Sequence, residues 1–70
     1  MNKKMFDAMS DLMQAEIGDM PHQSKANIFD ELVEKGYAQK CFKLIDGRPP
    51  LVIEGYGFTM LGHRIYCEAC

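Results

Sequence analysis

Residues 24–37, which read SKANIFDELVEKGY, decide the fold more than any other stretch of this chain. Their apolar side chains recur at the spacing that forms one stripe on an α-helix: Ile28, Phe29, Leu32 and Val33. Gly36 follows as the residue that can adopt the left-handed conformation with which helices often end. We therefore predict a helix over residues 21–35, with Pro21 in its first turn.

The residues before this stretch predict another helix. Apolar side chains recur every three or four positions from Met5 to Ile17, and polar side chains fill the opposite side. Asn2 is a suitable N-cap and Gly18 a suitable stop. We therefore predict a first helix over residues 3–17.

The residues that follow predict a β-hairpin. Residues 38–45 and 51–58 read as strands, and the second is rich in β-branched and aromatic side chains. Between them lies DGRPP at residues 46–50, whose two prolines exclude continuing regular structure and indicate a turn. Gly55 and Gly57 predict a bulge or a close approach of another backbone segment.

The end of the chain predicts a short helix over residues 59–67. Thr59 is a good N-cap, and Leu61 and Ile65 fall on one side of such a helix. Gly62 is unfavourable inside a helix, so this prediction depends on the cap and the apolar spacing.

Composition limits the class of protein. The chain has 70 residues, of which 47% are hydrophobic and 26% charged, as expected for one globular domain. No apolar run approaches the length of a membrane span, and Asp7 and Asp11 interrupt the basic start, so we expect no signal peptide. Three cysteines cannot all pair within one chain, which predicts reduced thiols in the cytoplasm.

The net charge bears on the kind of partner. Eight basic residues stand against ten acidic ones, which gives a net charge of −2. Phosphate neutralisation by Lys and Arg supplies much of the affinity of nucleic-acid-binding domains. DNA binding would therefore require the basic residues to gather on one face, and otherwise we expect a protein partner.

The order of these motifs resembles that of winged helix-turn-helix regulators of the MarR and PadR kind. The segments that carry the resemblance are DLMQAEIG at 11–18, DELVEKGY at 30–37, DGRP at 46–49 and YGFTMLGH at 56–63. The resemblance implies a single α+β domain over residues 1–70, in which helices pack on a two-stranded antiparallel wing at residues 38–58. It also implies that the 21–35 helix is the recognition helix.

The function that the resemblance implies is DNA binding by a small transcription regulator. In such proteins the front of the recognition helix enters the major groove, and the wing approaches the minor groove and the phosphates. The residues assigned to double-stranded DNA by this comparison are His22, Gln23, Ser24, Lys25, Asn27, Lys40, Lys43 and Arg48. A homodimer that reads two half-sites is also implied.

A protein-binding function is the alternative. A small acidic winged helix with six methionines fits an inhibitor or adaptor of the kind that phages and plasmids encode, docking on a larger protein. Asp30, Glu31 and Glu34 would repel DNA or imitate it. Basic residues gathered on the 21–35 helix and the wing favour DNA, whereas an exposed Met and aromatic patch favours a protein.

Metal binding and catalysis receive less support from the residues. A weak candidate set of zinc ligands comprises Cys41, His63, Cys67 and Cys70, because His63 and Cys67 are four positions apart and Cys-x-x-Cys follows. The simpler expectation is no metal and no cofactor. His22 and His63 are the only histidines, and neither lies beside a recognisable nucleophile motif, so we do not expect an enzyme.

Overall fold

The computed structural model describes residues 2–70 and contains three helices and two strands. Their order is α1 (Lys3–Ile17), α2 (Asn27–Glu34), β1 (Ala38–Ile45), β2 (Leu51–Phe58) and α3 (Met60–Ala69). The strands form one antiparallel sheet in which Ala38 lies opposite Phe58 and Ile45 opposite Leu51. The predicted α+β class with a two-stranded antiparallel sheet is therefore confirmed. Met1, which the predicted domain includes, lies outside the described residues.

Helix α1 has the bounds that its apolar spacing predicts. The Asn2 side chain accepts a hydrogen bond of 2.8 Å from the Met5 N–H, which is the predicted N-cap contact. Gly18 is the C-cap, and its N–H donates to the Gln14 carbonyl. Asp19 then turns the chain with a positive φ of 55°, a conformation that Asp tolerates better than most residues.

The predicted helix over residues 21–35 is wrong at its front end. Helix α2 begins only at Asn27, and the extended Ala26 precedes it without a side-chain cap hydrogen bond. Residues 21–26 are not helical, because His22 is held beside β2. Its backbone N–H donates to the Tyr56 carbonyl, and its carbonyl accepts from the Tyr56 N–H, both at 2.9 Å. These two hydrogen bonds require extended backbone.

The end of α2 follows the prediction. Gly36 has a φ of 79°, the Gly36 N–H donates to the Val33 carbonyl, and the Tyr37 N–H donates to the Leu32 carbonyl. This pair of hydrogen bonds is a Schellman motif, which satisfies carbonyls that a helix end otherwise leaves unpaired. It turns the chain directly into β1.

The buried core lies between the helices and the base of the hairpin. Its members are Ala8, Met9, Leu12, Ile28, Phe29, Leu32, Ala38 and Phe58. No residue between 42 and 53 is buried, although those positions include six apolar side chains. We call residues 42–53 the hairpin arm. The arm accounts in part for the elongated shape of the molecule, which measures 43 × 21 × 16 Å.

Two glycines allow close backbone contacts that a side chain would prevent. A Cβ on Gly55 would lie 2.5 Å from the His22 carbonyl oxygen, so the predicted close approach is confirmed there. The pairing register runs unbroken past Gly55, so the alternative prediction of a bulge is wrong. In α3, a Cβ on Gly62 would lie 2.5 Å from the Tyr37 carbonyl carbon. The predicted Thr59 cap is confirmed, because its hydroxyl accepts from the Gly62 N–H at 3.0 Å.

Candidate interaction surface

The structure brings four of the predicted DNA-contacting residues together around one groove. One side of the groove is formed by the non-helical segment before α2, residues 21–26, through Gln23, Ser24 and Lys25. Lys40 faces them from β1. The groove has a volume of about 630 Å³ and is open to solvent. The rest of its lining comes from the hairpin: Cys41, Phe42, Glu54, Gly55 and Tyr56. The groove therefore combines two ammonium groups, one carboxylate and two aromatic side chains.

The other four predicted residues lie elsewhere or have structural contacts. The His22 ring packs against Phe29 at a centroid distance of 4.9 Å, and its backbone pairs with β2. Asn27 is exposed at the first position of α2, and Arg48 is exposed in the turn of the hairpin. Lys43 donates hydrogen bonds to the carbonyl oxygen and the carboxylate of Asp19, at 2.8 and 3.0 Å. The eight residues therefore do not form one continuous basic face.

Tyr56 connects the groove to α2. Its hydroxyl donates a hydrogen bond of 2.8 Å to the Asp30 carboxylate, and its ring stacks on Phe29 at a centroid distance of 5.5 Å. The hydrogen bond to Asp30 raises the pKa of the Tyr56 hydroxyl, and partial burial and the negative charge of Asp30 act in the same direction. Tyr56 therefore remains a neutral donor and fixes the hairpin relative to α2.

The hairpin arm exposes apolar side chains on both of its faces. Side chains alternate between the faces of a strand, and directly opposed residues share a face. The front face of the hairpin carries Lys40, Phe42, Leu44, Val52, Glu54 and Tyr56. Four of these side chains line the groove: Lys40, Phe42, Glu54 and Tyr56. On this face Phe42 is 72% exposed, Leu44 57% and Val52 52%. On the opposite face Leu51 is 58% exposed and Ile45 36%.

The exposed side of α2 is acidic. Asp30, Glu31 and Glu34 are exposed there, and no basic residue lies in its last turn. This is the helix that precedes the hairpin and that the resemblance assigns to DNA recognition. Its acidic surface would face the phosphates in that arrangement, which is unfavourable for DNA binding.

The candidate zinc ligands do not assemble. The His63 Nδ1 lies 3.8 Å from the Cys67 sulfur, and the His63 Nε2 lies 3.6 Å from the Glu16 carboxylate. Within residues 2–70, however, no group of three or more potential ligands is close enough to hold a metal ion. All three cysteines are free, and burial raises the pKa of the Cys41 thiol.

Sequence reasoning missed the hairpin arm as a surface. Its signal lies in residues 42–45, FKLI, and 51–53, LVI, where apolar side chains occur on both faces instead of alternating with polar ones. Such strands are typical of sheets covered on both sides. In this fold the helices cover only the base of the hairpin, and the arm remains uncovered.

The chain matches no protein-family model, no curated protein and no solved structure. None of the helices in the described part of the chain is both long and apolar enough to cross a membrane.

Proposed function

We propose that this chain is a non-enzymatic protein-binding module of the cytoplasm that docks on a larger protein through its hairpin arm. The observation that carries the proposal is the uncovered apolar surface of the arm, above all Phe42, Leu44 and Val52. Exposed apolar patches of a few hundred Å² on a small protein commonly mark interaction sites. The role requires no cofactor.

The distribution of charge supports a protein partner over DNA. The exposed side of α2 is acidic, Lys43 already pairs with Asp19, and Glu54 shares the groove with two lysines. A protein surface with an apolar centre and a mixed polar rim complements such a site better than a row of phosphates does. Phe42 supplies the large aromatic anchor on which interfaces of this kind depend.

A reduced winged-helix arrangement is part of the same proposal. The order α1, α2, hairpin and α3 supports it, as does the pairing of His22 with Tyr56, which adds a short third strand beside β2. A single helix stands between that short strand and the hairpin. The arm then corresponds to the wing, used here to contact a protein.

The test is affinity capture, with matched variants, from a lysate of the cells in which the chain occurs. Phe42→Ser removes the main apolar anchor, whereas Met60→Ser removes a side chain that is 93% exposed on α3, outside the arm. Both side chains are exposed, so each change shifts the free energy of unfolding by about 0.5 kcal/mol or less. We expect a protein that binds wild type and Met60→Ser and is lost with Phe42→Ser. Equal recovery by all three chains would refute docking through the arm.

DNA binding is the second candidate, favoured by one observation. Gln23, Ser24, Lys25 and Lys40 meet at one groove although they come from separate segments. A salt titration of binding to random duplex DNA tests it, because each phosphate contact adds to the slope. Regulation of transcription gains support if binding weakens steeply with salt and if Lys25→Ala and Lys40→Ala each reduce the slope. Absence of binding at low salt rejects this candidate.

A further inference from the structure

The edge that β1 forms on the hairpin has three successive outward-pointing residues whose backbone groups are unpaired. In an antiparallel pair, successive residues point their N–H and C=O groups alternately toward the neighbouring strand and away from it. The Thr59 N–H donates to the Tyr37 carbonyl, and Tyr56 points its groups away from β1 toward His22. Because this direction alternates along each strand, three residues of β1 point their backbone groups outward, away from β2. These residues are Lys40, Phe42 and Leu44.

These outward groups have no partner in the described part of the chain. The backbone hydrogen bonds outside the helices and the hairpin include none to Lys40, Phe42 or Leu44. On the other side of the hairpin, the edge of β2 is occupied at Tyr56 by His22. Exposed strand edges are usually protected by charges, prolines or bulges. On the β1 edge Lys40 supplies a charge at one end, and two apolar residues follow it.

We propose that the β1 edge pairs with the same edge of a second copy of this chain, antiparallel and centred on Phe42. This register places Phe42 opposite Phe42 of the second copy and Lys40 opposite Leu44 of the second copy. The outward N–H and C=O groups of the three residues then form six hydrogen bonds. The product is one four-stranded sheet, ordered β2–β1–β1–β2, with closed twofold symmetry.

The chemistry of the edge favours a second copy as the occupant. The outward residues are symmetric about Phe42, so both strands satisfy all their groups at once. A register centred on Lys40 would set two ammonium groups opposite each other, which is unfavourable in a sheet. The central register instead pairs two aromatic rings and sets each lysine against an aliphatic side chain.

The proposed contact is made mainly by backbone groups of the β1 edge. On the front face it sets Phe42 beside Phe42 of the second copy, and Phe42 is 72% exposed in the single chain. Pairing also extends the sheet, because an isolated two-stranded hairpin is only marginally stable in water. The front faces of both copies remain open, so dimerisation goes beyond docking on another protein.

The first test compares two proline variants by analytical ultracentrifugation of the purified chain across a dilution series. Leu44→Pro and Val52→Pro change directly opposed residues, and each removes an outward N–H without removing a hydrogen bond of the hairpin. We expect dimers for wild type and Val52→Pro and a monomer for Leu44→Pro, with similar circular dichroism. A monomeric wild type, or a dimer that Val52→Pro breaks and Leu44→Pro does not, would overturn the proposal.

The second test does not depend on how the proline variants fold. Residues opposed in a hydrogen-bonded antiparallel pair have Cα atoms about 5.5 Å apart, within the range that a disulfide spans. With the three native cysteines replaced by serine, we expect Phe42→Cys to form a reducible covalent dimer under mild oxidation. Glu54→Cys, opposite Phe42 on the other strand, serves as the control. Equal cross-linking of both variants would refute the register. Both tests use the purified chain alone, so their outcome is independent of capture from lysate.

Discussion

Replacement of Gly62 by alanine tests how α3 is seated on the rest of the fold. The new Cβ would lie 2.5 Å from the Tyr37 carbonyl carbon and 2.9 Å from its Cα, and closer still to the carbonyl oxygen. Carbon atoms in contact lie about 3.5–4.0 Å apart, so α3 must move by more than about 1 Å against backbone that cannot rotate away. The shift also strains the hydrogen bond from the Thr59 N–H to the Tyr37 carbonyl.

The expected cost exceeds the helix propensity gained. Alanine stabilises a helix interior by about 1 kcal/mol relative to glycine. Against this stand overpacking of about 3 kcal/mol and about 1 kcal/mol for the strained hydrogen bond, which leaves a net loss of about 3 kcal/mol. With a denaturant slope of about 1 kcal/mol/M, the urea midpoint falls by about 3 M.

The assay is urea unfolding followed by circular dichroism, with Gly18→Ala as the control. At Gly18 the nearest atoms to a new Cβ lie at 3.6 and 3.7 Å, and the φ of −79° suits alanine. We expect this control to stay within about 1 kcal/mol of wild type. A Gly62→Ala chain that is as stable as the control would show that α3 does not rest on the Tyr37 backbone.

Three further perturbations test the core, the link to α2 and the surface. Leu12→Ala removes a side chain with no exposed surface and should lower the free energy of unfolding by about 3 kcal/mol in the same urea assay. The control is Ile17→Ala, at a position that is 75% exposed, which should change the free energy of unfolding by about 0.5 kcal/mol or less. Tyr56→Phe should be less stable than wild type at neutral pH. Because the pKa of Tyr56 is raised by Asp30, the stability due to its protonated hydroxyl is present below the unfolded pKa of about 10 and is lost as pH rises through the folded pKa. Thermal melts across this range should therefore show the two chains converging, and a constant difference would contradict the hydrogen bond. Lys43→Ala breaks an exposed ion pair and should cost about 1 kcal/mol or less, so a larger loss in thermal unfolding would mean that this pair holds the α1–α2 connection in place.

The elements that sequence predicts well are those determined by nearby residues. The bounds of α1 follow from its apolar spacing and the Asn2 cap, and the end of α2 follows from Gly36. The antiparallel hairpin follows from two strand-like runs around a proline-containing turn. In each case the deciding contacts join residues only a few positions apart, so a local pattern contains the information.

The predictions from the sequence that are wrong or incomplete depend on contacts between residues that are distant along the chain. The segment before α2 carries polar residues that suit a helix surface, but pairing of His22 with Tyr56 holds it extended. No local sequence pattern indicates that this segment pairs with β2. The groove around Lys25 and Lys40 likewise depends on where the hairpin lies relative to that segment. Exposure of the arm could not be predicted either, because apolar strands read the same whether or not a helix covers them.

The separation between the buried core and the arm has a consequence for how this protein can change. Among residues 2–70, every buried residue belongs to the helices or the base of the hairpin, so substitutions at the exposed apolar positions of residues 42–53 change the surface of the molecule and leave the packing of the core intact. Selection can therefore retarget the arm rapidly, while the core evolves slowly under the demands of packing. The same division makes the protein a scaffold of 70 residues onto whose hairpin tip new recognition sequences can be grafted.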